Sequence, residues 1–426
     1  MSTLSPTQSP KARRKPSTRR RAGSHAPYPA QEAHDSALAA IRSFLKCHTS
    51  YDAFPVSFRL IVLDTKLNVK KALQCLLLNG LPAAIPTLIT HLTASSIGVV
   101  SAPLWNSERS KFAGMLTVLD IIHLIQYYYR TASYDYAAAD VETFRLESLR
   151  GTSHLISHFL SFSFYLFLAL DIENELGVAQ PPLHREHPSS SLYDAAKLLI
   201  QTHARRLPLL DNDTETGHEV IVSVLTQYRL LKFISINCSK EIQQLNQSLR
   251  RLKIGTYVAQ LPQDVPEGQN PYHPIATATL NTPVFDVVHM FSERSISAVP
   301  IINEEGIVVN LYETVDVITL VRLGAYQSLD LKISEALNQR SPDFPGVVIC
   351  TASDSLGTLL QLIKRRRVHR LVVVEGEEEE KRGGKKGRLL GIITLSDVLR
   401  YVIGKVGIGE GLEPEDDSKS AKPSKS

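Results

Sequence analysis

The sequence predicts an α/β fold made of four copies of one helix–strand–strand–helix unit, and three observations carry that expectation. Residues Leu389 to Leu399 run as an apolar strand, then Thr394, then an acidic residue, Asp397, where an amphipathic helix pattern begins; Phe112 to Ile122, Ile221 to Leu231 and Ile307 to Val317 repeat the arrangement. Each copy follows another short apolar segment, at Val100 to Trp105, Arg206 to Asp211, Ser297 to Ile302 and His369 to Val374. Helical periodicity precedes those segments in turn, as in Val69, Ala72, Leu73 and Leu76, or Leu356, Leu359, Leu360 and Ile363.

In chain order, residues 1–36 form a Ser/Pro/Arg-rich tail with no carboxylate before Glu32; its seven Lys and Arg exceed the net charge of +4, so the remainder of the chain is net negative. Such a segment buries no core and is expected to be disordered. An amphipathic helix within 37–58 follows, with ordered sequence expected from about Ala37. The first repeat spans 59–131 with an interruption at 81–98, and a linker covers 132–187 with a second interruption at 151–170. The second repeat spans 188–237, a Pro/Gly-rich linker 238–275, the third repeat 276–325, the fourth 326–404, and a polar, disordered tail 405–426. The two interruptions are either low-complexity surface loops or short introns read in frame. The Ser, Phe and Leu of 151–170 are what a pyrimidine-rich tract encodes, and that stretch is at the lower length limit for a membrane span and holds two His and several Ser. A composition of 43% hydrophobic and 21% charged residues is that of a soluble globular chain, and four scattered cysteines without metal-ligand spacing favour a reducing compartment.

Ligand chemistry is read from the end of each unit. An Asp in the first helical turn can accept two hydrogen bonds from vicinal hydroxyls, as a ribose offers, and a Thr three residues earlier can donate to phosphate beside the free N–H groups of the helix start. The plainer reading is that each Asp caps its helix. Three copies carry the acid, as Asp120, Asp316 and Asp397; the second carries Arg229 instead. No Ser-His-Asp order, HExxH, Walker A or kinase signature is present, so binding without chemistry is expected.

The strand–Thr–x–x–Asp–helix ending resembles the cystathionine-β-synthase (CBS) domain. More narrowly, Tyr51-Asp52 with Pro55, Asp64-Thr65, Val69-Lys70-Lys71-Ala72, Ser101 to Trp105, Leu225 to Arg229, Ile254 to Tyr257 and Val368-His369-Arg370 look like the gamma-subunit family of AMP-activated protein kinase, in its fungal form the activating subunit of the sucrose-non-fermenting kinase. The resemblance runs from about Ser50 to Gly404. It implies four CBS repeats forming two Bateman modules packed as a pseudo-symmetric disc, AMP, ADP and ATP as ligands with no cofactor, and a non-catalytic, energy-sensing regulatory subunit. It further implies a heterotrimer with a catalytic alpha subunit and a beta scaffold subunit docking near 37–58, active in glucose starvation in cytoplasm and nucleus, with no membrane or nucleic-acid partner. The nucleotide contacts it implies are Thr117, Asp120, Arg205, Arg206, Ser297, Ala298, Asp316, His369, Arg370, Thr394, Ser396 and Asp397.

Several residues depart from that pattern. Arg205 replaces a His, Val100 stands where animal members carry a phosphate-binding Arg, Leu119 replaces a Thr, and Glu313 takes the place of Thr117 and Thr394 and would repel phosphate. The departures at Val100, Glu313 and Arg229 favour an alternative in which the protein is a constitutive scaffold that activates the kinase without sensing. The run Lys364 to Arg367 either raises the local potential or is a solvated helix face, and Glu375 to Lys386 reads as a self-neutralising hairpin loop.

Overall fold

The computed structural model describes residues 29–55, 60–78, 101–131, 145–146, 183–258, 272–322, 330–340 and 346–404. The expectations for residues 1–28, both interruptions, Val100 and the C-terminal tail lie outside these.

Helix α1, Pro29–Cys47, starts before the expected Ala37. Pro suits the first helical position because its missing N–H would have no partner there, and Ala30, Gln31, Glu32 and Ala33 propagate the helix. Its buried stripe of Ala37, Leu38, Ile41 and Leu45 follows the helical period. A single 3₁₀ turn, Ser50–Ala53, comes next.

Each repeat then folds in the same way. In the first, β1 (Leu63–Asp64) runs parallel to β2 (Ser101–Asn106), joined through α2 (Val69–Leu78), and β2 pairs antiparallel with β3 (Lys111–Thr117), which leads into α3 (Val118–Thr131). The second has α4 (Leu192–Gln201), β4 (Arg206–Asn212), β5 (Glu219–Thr226) and α5 (Gln227–Asn237), its parallel partner reduced to the bridge Glu186–Leu209. Two short helices, α6 (Ser239–Ile242) and α7 (Leu249–Leu252), and β6 (Thr256–Tyr257) follow. The third has α8 (Val284–Glu293), β7 (Ala298–Ile302), β8 (Val308–Glu313) and α9 (Thr314–Arg322), with the bridge Ala278–Ile301. After α10 (Ile333–Asn338), the fourth has β9 (Ile349–Thr351), α11 (Leu356–Arg365), β10 (Arg370–Val374), a short α12 (Glu377–Glu380), β11 (Leu389–Thr394) and α13 (Leu395–Ile403).

The stretch 238–275 is more than a linker. Its β6 pairs with β11 as the edge of the four-stranded sheet β6-β11-β10-β9. Gly255 permits this: at φ +97°, a Cβ there would stand 2.5 Å from Ile393 and 2.7 Å from the Ile392 carbonyl oxygen.

Packing ties the repeats together in two ways. Sheets meet between neighbours in sequence, with Ala298 and Leu311 of repeat 3 against Val372, Val374 and Leu389 of repeat 4, and β3 beside β5. Helices meet across the pairs. One core joins repeats 1 and 3 through Ile121, Ile122, Val287 and Phe291, and a larger one joins repeats 2 and 4 with α1 through Leu199, Ile234, Leu360 and Val398. Arg42 on α1 donates to the Val402 carbonyl oxygen at 2.8 Å, satisfying an end of α13. No helix among the described residues is long and apolar enough to cross a membrane.

Candidate functional site

The strand–Thr–x–x–Asp ending of the fourth repeat folds into a capping box. The Thr394 N–H and hydroxyl donate to Asp397 Oδ2 at 2.8 and 2.7 Å, while the Asp397 N–H returns a bond to Thr394 Oγ1 at 3.3 Å. Thr117 makes the same pair of bonds to Asp120 Oδ2, its hydroxyl at 2.9 Å. The single hydroxyl hydrogen of each Thr is thus spent on its own carboxylate, and donation to a phosphate would require it to turn away.

The three acids differ in what else holds them. Among the described residues, Asp397 Oδ1 has no hydrogen-bond partner, so one oxygen remains for a vicinal diol. Asp120 is 8% exposed beside the buried His123, whose pKa is lowered by burial against the attraction of Asp120. Asp316 is engaged on both oxygens. The Arg340 guanidinium clasps it, with Nε donating to Oδ1 at 2.8 Å and Nη2 to Oδ2, and also donates to Asn310 Oδ1 and the Leu311 carbonyl oxygen. The Glu313 N–H completes the set at 2.7 Å. Burial raises the Asp316 pKa even with Arg340 in place. A ribose at Asp316 would have to displace Arg340, which sequence reasoning missed because nothing local marks it.

At the junction of repeats 3 and 4, Arg370 crosses to β7, donating from Nη1 to the Ser297 carbonyl oxygen at 2.6 Å and pairing with Glu313 Oε1 at 3.2 Å. Ala298, 9% exposed, stands opposite Glu313 in the β7–β8 register. Glu313 therefore neutralises an arginine of the expected phosphate group.

At the junction of repeats 2 and 4, Ser396 donates to Gln227 Oε1 at 3.0 Å, and the Tyr228 and His369 rings lie 6.4 Å apart. Five arginines collect around this point. The His369 pKa falls to about 3, through burial first and then Arg367, Arg370, Arg206 and Arg205. Arg206 is lowered to about 10 by burial, Arg205 and Arg367. Arg205 is also lowered to about 10, by burial and then Arg370, although part of it touches solvent. Arg229, in the first turn of α5, donates from Nη1 to the Val224 carbonyl oxygen at 3.1 Å and is lowered by burial and Arg367.

The structure thus gathers Arg205, Arg206 and Arg370 around His369 in one cluster, and Thr394, opposite Arg370 in the β10–β11 register, sets Ser396 and Asp397 at the head of α13 beside it. Ser297 and Ala298 reach it through Arg370. Thr117 and Asp120 are bonded to each other in the first repeat, beside His123, and Asp316 is tied to Arg340. Arg367 is an addition to the expected set. Val368 between it and His369 is 1% exposed, so chain alternation turns Arg367 and His369 to the same side, a signal the sequence did contain. The cluster is cationic and suited to phosphate, because guanidinium forks match phosphate oxygens and low dielectric strengthens the attraction. No cluster of three or more potential metal-ligating side chains occurs among the described residues.

The CBS domain family model matches residues 271–322 and 343–404. The 5'-AMP-activated protein kinase subunit gamma of Kluyveromyces lactis is 39% identical over 86% of this chain and 92% of its own length; that of Saccharomyces cerevisiae is also 39% identical, over 86% and 94%. The human subunit gamma-3 is 31% identical over 84% of this chain and 60% of its own. In fold, the chain is similar to a Methanocaldococcus jannaschii protein described as a putative archaeal homologue of the kinase gamma subunit, with TM-score 0.52, 13% identity, and coverage of 83% and 99%. Identity at this level across nearly the whole of two yeast relatives places the chain in the gamma-subunit family of AMP-activated protein kinase, a family of non-catalytic regulatory subunits.

Proposed function

We propose that the protein senses adenine nucleotides through the fourth-repeat cleft and regulates a heterotrimeric serine/threonine kinase, built with a catalytic alpha and a beta subunit, in the response to energy and glucose starvation. The observation that carries the reading is Asp397, whose Oδ1 is uncommitted at the head of the helix capped by Thr394, opposite Arg370, beside the cluster of Arg205, Arg206, His369 and Arg370, which we read as a chamber. A ribose on Asp397 would direct its phosphate into that chamber, and AMP, ADP and ATP share this grip. The four repeats form two sheet-to-sheet modules joined by their helices, which we read as a disc around the chamber. The second cleft lacks a carboxylate at Arg229, and the third is held by Arg340, so the fourth cleft is the principal site. Regulation follows only to the extent that a nucleotide prefers one kinase state over the other. The complex acts in cytoplasm and nucleus.

A constitutive scaffold is the second reading, favoured by the Glu313–Arg370 and Arg340–Asp316 pairs, which neutralise nucleotide contacts internally. Co-expression with the two partner subunits separates the readings. Kinase activity measured with and without AMP should respond in the wild type and lose that response in Asp397→Asn. Full activity in both proteins, indifferent to AMP, ADP and ATP, would establish the scaffold.

A further inference from the structure

Ahead of α4 the chain makes a tight turn that is pinned on both sides. Glu186 bridges Leu209 in parallel, its N–H donating to the Pro208 carbonyl oxygen and its carbonyl accepting from the Leu210 N–H, so His187 comes alongside Asp211 near the end of β4. The Ser190 N–H then donates back to the His187 carbonyl oxygen, while the N–H groups of Ser50 and Tyr51 donate to the Ser190 and Pro188 carbonyls. This fold-back sets the Ser189 hydroxyl 2.6 Å from His187 Nδ1, and His187 Nε2 stands 3.0 Å from Asp211 Oδ1.

The direction of each of these hydrogen bonds is fixed. A backbone N–H can only donate, and that of Ser189 points to His187 Nδ1 at 3.2 Å, so Nδ1 is the acceptor. In the neutral ring the proton is therefore on Nε2 and goes to Asp211, and the Ser189 hydroxyl donates to Nδ1. The Asp211 carboxyl is held below the usual carboxylate range by that His187 bond and by the Asn212 N–H at 2.8 Å, so it is ionised at neutral pH and holds the ring in place. A hydroxyl on an unprotonated imidazole nitrogen, with the far nitrogen held by a carboxylate, is the arrangement that activates serine as a nucleophile. Ser189 and His187 are both exposed, so a reagent can reach them.

The N–H groups of Ser189, Ser190 and Asn212 are all committed within the turn and strand, so these three supply no preorganised donors to a tetrahedral oxyanion. The chemistry is thereby confined to acyl groups that already carry a good leaving group. We propose that Ser189 is a self-acylation site, which takes an acyl group from an activated donor such as a thioester, with His187 as the base and Asp211 as its positioning residue. Ser189 Oγ bonds to the carbonyl carbon as its proton passes to His187 Nδ1; the carbon–sulfur bond then breaks, and the thiolate leaves with that proton. The products are an O-acyl serine and a free thiol. Such a single transfer marks the protein without making it an enzyme, and it is independent of the nucleotide reading.

The test incubates the full chain with an acetyl thioester, and separately with p-nitrophenyl acetate, and follows acetylation of Ser189 and Ser190 by peptide mass spectrometry. Ser190 is the internal reference, because its hydroxyl donates at 2.6 Å to the Glu186 carboxylate, a far weaker base than imidazole. General-base help should make Ser189 react about 100-fold or more faster than Ser190. His187→Gln should remove that advantage and Asp211→Asn should slow Ser189 at least about tenfold, whereas Asp211→Glu, which keeps the charge, should retain most of the rate. All three variants should melt with the wild type; should one melt lower, the ratio of the two serines in the wild type decides alone. Equal acetylation of Ser189 and Ser190, acetylation of neither, or a Ser189 rate unchanged in folded His187→Gln or Asp211→Asn overturns the proposal.

Discussion

Replacing Arg340 with Ala isolates an ionic contact that is satisfied on both Asp316 oxygens. Its side chain and that of Asp316 are 10% and 12% exposed, and the guanidinium serves both Asp316 oxygens, Asn310 and the Leu311 carbonyl oxygen. Removing one member of such a pair strands the other charge, a loss of about 3–5 kcal/mol. Asp316 retains only the Glu313 N–H, so it will escape part of the cost by taking up a proton. Its folded pKa is already raised by burial and rises further without Arg340, so the variant is best tolerated below the unfolded carboxylate value and loses stability as pH climbs through the folded one. Urea unfolding of wild type and Arg340→Ala should show a larger gap at pH 7.5 than at pH 5. Adding Asp316→Asn, which keeps an acceptor for the Glu313 N–H, should recover at least half of the loss at pH 7.5. A single variant within about 0.5 kcal/mol of wild type, or a double variant less stable than the single, would refute the reasoning.

Three further outcomes follow from the same contacts. Because His369 is held neutral down to about pH 3 while the unfolded residue titrates near 6.5, stability should be level above pH 6.5 and fall by roughly 1 kcal/mol between pH 6.5 and 5.5, a slope that His369→Gln should reduce in pH-dependent urea unfolding. Phosphate in the chamber offsets the neighbouring arginines, so AMP binding at pH 5.5 should draw in protons, seen as a dependence of calorimetric heat on buffer ionisation enthalpy. Ile41→Ala on the fully buried face of α1 should cost about 2–5 kcal/mol in thermal or urea unfolding, whereas a substitution at the exposed Gln31 should cost much less.

Most of the repeat was legible because its evidence is local. The apolar strand ending in Thr394 and Asp397 is a helix-start signal, and the structure forms the box that this spacing allows. What escaped depended on partners distant in sequence. A helical stripe on α5 shows that a face is buried but not that α11 and α13 of the fourth repeat bury it. Arg340 reaches back 24 residues to Asp316, with no period or motif linking them. Thr256 and Tyr257 were legible as a resembling element but not as the edge of the fourth repeat's sheet, because strand pairing is decided by register against β11. Arg367 sat inside a basic run whose other members are solvated, and only alternation through the buried Val368 distinguishes it.

The central claim is that a nucleotide is held by its ribose on Asp397 with its phosphate among the chamber arginines. Calorimetric titration of AMP into the full chain, with Asp397→Asn and Asp316→Asn as paired variants, tests it most directly. The account expects AMP affinity to fall about 10- to 100-fold in Asp397→Asn, for lost hydrogen bonds to a charged acceptor, and to change far less in Asp316→Asn. Unchanged affinity in Asp397→Asn, or the larger loss in Asp316→Asn, would contradict it.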